Sequence, residues 1–376
     1  MLPHMAELVA IALPGGPEFV EAVRRVWDNG DAFMPVDGRL PLAERQRVFD
    51  ALSPSSVIGS DGAHTALPGG QPVEPGDAVV LATSGTTGLP KGVVHTHASV
   101  AASAAASSAA LGVDPTRDRW LACLPLAHIG GLSVVMRSIV TATPLEVHDG
   151  FHRDRVLDAA ARGATLVSLV TKALLQVSPA RFRMVLLGGA APPADRPANV
   201  VATYGMTETG SGIVYNTTPI DGVEICIVAS GEVMVRGPML LRCYRDGTDP
   251  RIADGWFPTG DLGGWGDDGR LMIHGRRGDV IVTGGEKVWP SRAEIILERL
   301  AGVAEVALVG RPHAEWGHEV VALVVPTDGA MPPGLEELRD AVKAELPVWY
   351  APQSMELRAG PLPRTALGKI QRNLLS

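Results

Sequence analysis

Residues 83–92 read Thr-Ser-Gly-Thr-Thr-Gly-Leu-Pro-Lys-Gly and follow an apolar run at 78–82 that is typical of a buried strand. Three glycines in this segment allow backbone N–H groups to approach an anion closely. The hydroxyl side chains and Lys91 add further donors and one positive charge. The segment therefore predicts a phosphate-binding loop. It differs from a Walker A loop because Pro90 occupies the place of the second glycine and Gly92 follows the lysine.

The composition of the chain is that of a globular protein with room for two domains. It has 376 residues, of which 46% are hydrophobic and 20% are charged. A formal net charge of −8 argues against a broad surface for nucleic acid or for anionic membranes. The most apolar region, 100–113, is too rich in Ala and Ser for a membrane span. We therefore expect neither nucleic-acid nor membrane partners.

The cysteines and the N-terminus point to a cytoplasmic protein. Cys123, Cys226 and Cys243 are far apart and have neither zinc-site nor disulfide spacing, so we expect reduced thiols. Residues 1–16 lack the basic start and the cleavage site of a signal peptide. A homodimer is compatible with the sequence, which does not determine the oligomeric state.

The order of sequence patterns predicts an α/β fold with two domains. Short apolar runs alternate with helical patterns up to about residue 200, as in layered structures with a largely parallel sheet. From Gly231 the pattern changes to short strands and glycine turns, which indicates a small antiparallel β subdomain. The tail after Gly275 is long enough for a small α+β domain. We predict a large N-terminal domain at 1–275, a hinge at 276–279 and a C-terminal domain at 280–376.

Four later segments accompany the phosphate loop: Tyr-Gly-Met-Thr-Glu-Thr at 204–209, Thr-Gly-Asp at 259–261, the stretch 275–290, and Pro-Arg-Thr-Ala-Leu-Gly-Lys-Ile at 363–370. In this order the five segments resemble those of the adenylate-forming superfamily of acyl-CoA synthetases, luciferases and peptide-synthetase adenylation domains. The resemblance covers most of the chain and implies a mobile C-terminal domain with the active site between the two domains. The sequence before the loop is shorter than in most relatives, as in some o-succinylbenzoate–CoA ligases.

The resemblance implies a reaction in two halves. A carboxylate attacks the α-phosphorus of ATP to give an acyl-adenylate and pyrophosphate, and a thiol then displaces AMP. ATP, Mg²⁺ and CoA are the implied substrates and activator, with no prosthetic group. Lys369 would be the catalytic lysine, Glu208 the Mg²⁺ ligand, and Thr207 a contact of the α-phosphate. The implied ATP- and AMP-binding residues are Thr83, Ser84, Gly85, Thr86, Thr87, Gly88, Lys91, Gly188, Gly189, Ala190, Tyr204, Gly205, Thr207, Asp261 and Arg276.

Individual roles follow from the same resemblance. Tyr204 would stack on adenine, Asp261 would accept the ribose hydroxyls, and Arg276 would assist at the ribose or phosphate. Gly278 occupies the hinge position, where relatives commonly have Asp or Lys. Gly284 and Gly285 would line the tunnel for the pantetheine arm of CoA.

The acyl pocket is implied by three segments that contain His128, Ser168 and Gly210. His128 would gate the pocket or meet a polar acyl group, or it is a histidine satisfied in the core. An aromatic keto-diacid such as o-succinylbenzoate needs an apolar slot and a cation or donor for its second carboxylate. Arg137 and Lys172 are candidates for that charge, although both residue types more often lie on helix surfaces.

The predicted function is an ATP-dependent acid–thiol ligase, with o-succinylbenzoate and CoA as the expected substrates and menaquinone synthesis as the expected pathway. Three alternatives stay open. The chain could be a CoA ligase for another aryl or short acyl acid. It could be an adenylation enzyme that loads a carrier protein, or a nucleotide-binding module without catalysis.

Overall fold

The computed structural model describes residues 5–84, 90–189, 192–193, 195–364 and 370–375. Contacts divide the chain into two compact units, one of Met1–Ile225 with Val235–Phe257 and one of Cys226–Met234 with Pro258–Ser376. None of the helices in the described ranges is long and apolar enough to cross a membrane. The α-helices are α1 (Pro17–Asp28), α2 (Leu42–Leu52), α3 (His97–Ala110), α4 (Ile129–Thr141), α5 (Arg153–Ala161), α6 (Thr171–Leu174), α7 (Pro290–Leu297) and α8 (Leu335–Glu345).

The strands of the first unit form two seven-stranded sheets. The strands are β1 (Leu8–Ile11), β2 (Ala32–Pro35), β3 (Ser56–Ile58), β4 (His64–Ala66), β5 (Asp77–Ser84), β6 (Pro90–Thr96), β7 (Trp120–Ala122), β8 (Leu145–Val147), β9 (Leu166–Val170), β10 (Met184–Gly188), β11 (Val200–Met206), β12 (Ser211–Tyr215), β13 (Thr218–Pro219), β14 (Glu224–Ile227), β15 (Glu232–Arg236) and β16 (Cys243–Tyr244), with β14 and β15 at the division between the units. The strand order is β16-β6-β5-β2-β1-β3-β4 in the first sheet and β13-β12-β11-β10-β9-β7-β8 in the second.

The first sheet carries the described ends of the segment 83–92, in β5 and β6. Its interior strand β1 reads Leu-Val-Ala-Ile with all four residues buried, as expected for a strand covered on both faces. β5 and β6 pair antiparallel on either side of residues 85–89. β16 pairs with the outer side of β6, so that residues 243–244 lie beside the strand that carries Lys91.

The second sheet is parallel through β8, β7, β9, β10 and β11. Buried Val and Leu side chains of β9 and β10 form its core together with Phe182. The carboxyl ends of these parallel strands share one edge, which is the usual place for ligand sites in α/β sheets. The predicted parallel α/β architecture is confirmed in this sheet.

The second unit is an α+β structure. β21 (Val303–His313) and β22 (Gly317–Pro326) form a long antiparallel hairpin. β23 (Ser354–Leu357) pairs with β22 in parallel. Buried residues of α7 and α8 pack on this sheet. β17 (Phe257–Trp265) and β18 (Leu271–Arg276) pair antiparallel, which confirms the predicted change to antiparallel strands after Gly231. The remaining strands are β19 (Ile281–Thr283) and β20 (Glu286–Val288).

Candidate active site

One tyrosine links the predicted phosphate lysine to the predicted magnesium ligand. The Nζ atom of Lys91 lies 5.0 Å from the centroid of the Tyr244 ring. The Tyr244 hydroxyl donates a 3.1 Å hydrogen bond to Oε1 of Glu208. Tyr244 reaches this position because β16 pairs with β6, where it lies opposite Val93. Tyr244, which sequence reasoning missed, therefore contacts both Lys91 and Glu208, and the roles of these two residues in binding phosphate and magnesium stay predictions.

A buried histidine holds the backbone of the Tyr-Gly-Met-Thr-Glu-Thr segment. His95 Nε2 lies 2.7 Å from the Thr207 carbonyl oxygen, and Nδ1 lies 3.3 Å from Ser99 Oγ. A carbonyl oxygen only accepts, so Nε2 carries the proton of a neutral imidazole. Desolvation lowers the pKa of His95 to about 4, opposed by its hydrogen bond to Thr207. Sequence reasoning missed His95, whose only signal was its place on the strand after the loop.

The predicted adenine-side residues lie at the carboxyl ends of adjacent parallel strands. Gly188 ends β10 and is followed by Gly189, while Tyr204 and Gly205 lie near the end of β11. Gly205 is required by a close approach between strands, because a Cβ there would overlap the Ser211 carbonyl of β12. This edge therefore combines glycines with the ring of Tyr204. Such a combination suits a flat ligand.

Several predicted residues fall outside the described ranges. Of the phosphate loop, Thr83 and the backbone of Ser84 are described in β5, and Thr83 Oγ1 donates to the Lys91 carbonyl oxygen over 3.3 Å. The predicted residues outside the described ranges are Gly85, Thr86, Thr87, Gly88, Ala190 and Lys369.

Residues on both sides of 365–369 are tied to the second unit. Arg364 and Ile370 form an antiparallel bridge, and the Gln371 N–H donates to the Pro363 carbonyl oxygen over 2.8 Å. Arg372 makes two hydrogen bonds, of 2.7 and 2.6 Å, to the two carboxylate oxygens of buried Glu294. The residues that flank the segment 365–369 on each side are therefore held by hydrogen bonds.

The second unit pairs the two predicted ribose-site residues. Asp261 on β17 lies opposite Arg276 on β18, and Nε of Arg276 lies 2.9 Å from Oδ1 of Asp261. Nη1 of Arg276 also donates to the Thr259 carbonyl oxygen over 2.8 Å. The arrangement places a buried carboxylate and a half-exposed guanidinium side by side, and the ribose roles of both residues stay predictions.

The predicted hinge and tunnel glycines lie in turns of the same unit. Gly278 is exposed in a short 3₁₀ helix, and a Cβ placed on it would meet no atom within 4 Å. Gly284 and Gly285 connect β19 to β20. The role of Gly278 in hinge motion and that of Gly284 and Gly285 in CoA binding stay predictions. The domain bounds 1–275 and 280–376 also stay predictions.

Arg137 is a buried cation in the region predicted to bind the acyl group. It is 2% exposed on α4, and its guanidinium lies 4.9 Å from the Trp120 ring centroid. Nη2 donates to Ser107 Oγ over 3.2 Å and to Ser211 Oγ over 3.4 Å. Within the described part of the chain, buried Nε and Nη1 have no hydrogen-bond partner. Burial lowers the pKa of Arg137.

Arg137 also lines a small cavity. Gly210, one of the predicted acyl-pocket residues, lines it together with Arg137, whereas Lys172 is exposed on α6. Of the two candidate cations, Arg137 is therefore the one placed in a pocket. Predicted Ser168 lies half-buried on β9. The other residues that line the cavity are Val100, Ser103, Ala104, Ser133 and Met136.

His128 immediately precedes α4 and contacts two charged residues near the N-terminus. Its Nε2 lies 3.3 Å from Nη2 of Arg39 and 3.5 Å from Oδ2 of Asp37. The arginine can only donate and the carboxylate can only accept, so these two contacts of Nε2 favour opposite tautomers of the neutral ring. Burial lowers the pKa of His128, partly opposed by Asp37. Sequence reasoning missed Asp37 and Arg39.

Known proteins that resemble the chain identify its family. Residues 60–245 match the AMP-binding enzyme family, and residues 293–369 match the AMP-binding enzyme C-terminal domain. A probable 2-succinylbenzoate–CoA ligase of Mycobacterium tuberculosis is 35% identical over 367 residues, which cover 89% of this chain and 94% of that protein. The chain belongs to the AMP-binding enzyme family.

Solved structures of AMP-binding enzymes agree with this fold. The o-succinylbenzoate CoA synthetase of Bacillus subtilis in complex with the acyl-adenylate intermediate is 28% identical, with a TM-score of 0.87. The match covers 99% of this chain and 88% of that chain. The same synthetase in complex with ATP and magnesium ion is 28% identical, with a TM-score of 0.86 and coverage of 99% and 90%.

Proposed function

We propose that the chain joins o-succinylbenzoate to CoA at the expense of ATP, through an acyl-adenylate and with release of AMP. The observation that carries this proposal is the 35% identity to a probable 2-succinylbenzoate–CoA ligase over 89% of the chain. The Bacillus subtilis synthetase, whose structures hold the acyl-adenylate or ATP with magnesium ion, supports the same chemistry.

The residues around Tyr244 fit a magnesium–nucleotide site. Glu208 is half-buried, and its Oε1 accepts a hydrogen bond from Tyr244, so that the carboxylate retains capacity for a metal ion. One carboxylate together with substrate phosphates is a usual arrangement for Mg²⁺. Bound there, Mg²⁺ would neutralise phosphate charge, while Lys91 would supply a second positive charge. His95 fixes the Thr207 carbonyl and so orients the segment that carries Glu208.

Arg137 supports a diacid as the substrate. A fully buried guanidinium without a carboxylate partner in the described ranges is unfavourable unless a ligand supplies the negative charge. The second carboxylate of o-succinylbenzoate has the charge and the acceptors that Nε and Nη1 lack. A monocarboxylic acid would leave the guanidinium without this partner.

The thioester half-reaction is assigned to the C-terminal part of the chain. Lys369 would act in adenylation, and a rotation at 276–279 would then bring Gly284 and Gly285 to the pantetheine arm. These roles rest on the resemblance of the sequence motifs. A cytoplasmic location and a homodimer stay predictions.

The test is AMP release from ATP, Mg²⁺ and CoA with a panel of acids, with mass detection of the thioester. We expect a strong preference for o-succinylbenzoate and an o-succinylbenzoyl-CoA product. Preference for benzoates or short acids would overturn the substrate assignment but not the reaction. Adenylate formation without transfer to CoA would indicate a carrier protein as acceptor, and no AMP with any acid would overturn the enzyme assignment.

A further inference from the structure

A buried carboxylate, Glu232, contacts the Thr-Gly-Asp turn of the second unit. Glu232 is 7% exposed at the start of β15. Its Oε1 accepts a 3.1 Å hydrogen bond from the Gly260 N–H, and its Oε2 lies 2.9 Å from Nη1 of Arg277. The two oxygens of one side chain thus contact the turn that precedes Asp261 and the residue that follows Arg276.

The turn itself depends on backbone contacts at this point. Gly260 has φ of +71°, a conformation that glycine adopts readily and other residues avoid. Thr259 Oγ1 donates to the Val233 carbonyl oxygen over 2.7 Å and accepts from the Asp261 N–H over 3.0 Å. The Gly260 N–H is a further donor of the turn, and it donates to Glu232 Oε1. Because this peptide directly precedes Asp261, its orientation contributes to the direction of the Asp261 side chain, together with the contact between Arg276 Nε and Asp261 Oδ1.

We propose that Glu232 is a positioning residue for nucleotide binding, which holds the Gly260 peptide so that Asp261 meets the ribose hydroxyls. This inference rests on the proposed function, because it requires Asp261 to bind ribose. A charged acceptor holds a backbone N–H more firmly than a neutral one. A glycine turn without this acceptor gains freedom, and the carboxylate of Asp261 loses its fixed direction.

The experiment compares ATP with 2′,3′-dideoxy-ATP in the full-length protein. For each variant, kcat/KM for release of the nucleoside monophosphate is measured with both nucleotides, and folding is checked by thermal unfolding. The variants are Glu232→Ala, Glu232→Met and Glu232→Gln, with Asp261→Ala as the reference for loss of ribose recognition. Arg277→Met is the matched control, because it removes the ion pair and leaves the acceptor of Gly260 in place.

We expect Glu232→Ala and Glu232→Met to lower kcat/KM for ATP about tenfold, mainly through KM, and to change dideoxy-ATP much less. Glu232→Gln keeps an oxygen that can accept from Gly260 and should recover most of the loss. Arg277→Met should retain the wild-type preference for ATP. If Glu232→Ala fails to fold, Glu232→Met, which fills a similar volume, decides the question.

Equal losses with ATP and dideoxy-ATP in the Glu232 variants would overturn the proposal, because a general structural role lowers both alike. If Asp261→Ala retained the wild-type preference for ATP, the ribose role of Asp261 would be wrong and this inference with it. Formation of o-succinylbenzoyl-CoA by the wild-type protein is measured separately, so failure of the proposed function would be distinguishable from either outcome.

Discussion

The Tyr244 hydroxyl donates a 3.1 Å hydrogen bond to Oε1 of Glu208, while the ring of the same tyrosine lies 5.0 Å from Nζ of Lys91. A side chain from β16 thereby sets the positions of a cation and a carboxylate that come from separate parts of the chain. Both charges are needed by a magnesium–nucleotide complex, one for phosphate and one for the metal. The ring and the hydroxyl have separable roles, which substitution can distinguish.

Tyr244→Phe keeps the ring next to Lys91 and removes the hydrogen bond to Glu208. We expect the Mg²⁺ concentration for half-maximal AMP release to rise about threefold to tenfold, because a hydrogen bond to a charged group orients the carboxylate. Titration of MgCl₂ at fixed ATP measures the change. Glu208→Gln should have a larger effect, and Tyr350→Phe, which removes a tyrosine hydroxyl in the second unit, should have none. An unchanged magnesium dependence in Glu208→Gln would remove Glu208 from the metal site.

Arg137→Met should change stability and substrate binding in opposite directions. Removal of a buried charge without a carboxylate partner in the described ranges is expected to raise the melting temperature. The same change should raise KM for o-succinylbenzoate about 10- to 100-fold, because hydrogen bonds to a charged group are lost. KM for an aryl monocarboxylate should stay within about twofold. Thermal unfolding and initial rates measure the two effects.

Arg137→Lys is the matched variant for charge, since it retains one cation but not the planar fork of donors. We expect partial recovery of o-succinylbenzoate binding. A fall in both stability and activity toward every acid in Arg137→Met would show that the residue is structural.

The sequence allowed prediction of those features that depend on short segments. The apolar runs at 78–82, 165–170 and 184–187 lie in β5, β9 and β10 as expected. Tyr244 and His95 escaped prediction because their roles depend on partners that only the sheets bring near. Neither residue forms part of a recognisable motif.

The burial of Arg137 was underestimated for a reason that the sequence contains. α4 reads Ile-Gly-Gly-Leu-Ser-Val-Val-Met-Arg-Ser-Ile-Val-Thr, which is small or apolar on nearly every face. A helix of that composition is expected to be buried on most faces, as α4 is over residues 131–138, and a charge within that stretch is buried too. The pattern of the whole helix would have been a better guide than the usual exposure of arginine.

His95→Gln should remove a pH dependence of stability. The pKa of His95 is lowered from 6.5 to about 4 by burial, so the unfolded chain binds a proton below pH 6.5 that the native protein does not bind. The contribution of neutral, buried His95 to the free energy of unfolding is fully present above pH 6.5 and declines as the pH falls toward 4. Between pH 7 and pH 5 the wild-type protein should lose about 2 kcal/mol more unfolding free energy than the variant.

Urea denaturation at the two pH values measures this difference. His318→Gln serves as the control, since His318 is exposed on β22. An equal decline in the wild-type protein and in His95→Gln would show that His95 is protonated in the native state.

Lys369→Ala should separate the two half-reactions. The lysine lies in the segment between the bridge residues Arg364 and Ile370, at the place where the family motif has its adenylation lysine. Loss of a positive charge at a desolvated transition state should slow adenylate formation by about 10²–10³. Thioester formation from supplied o-succinylbenzoyl-adenylate and CoA should be largely unchanged. Lys343→Ala, a lysine of α8 beside Asp340, should leave both rates near those of the wild-type protein. Equal losses in both half-reactions would contradict a C-terminal domain that moves between two conformations, because Lys369 would then be needed throughout.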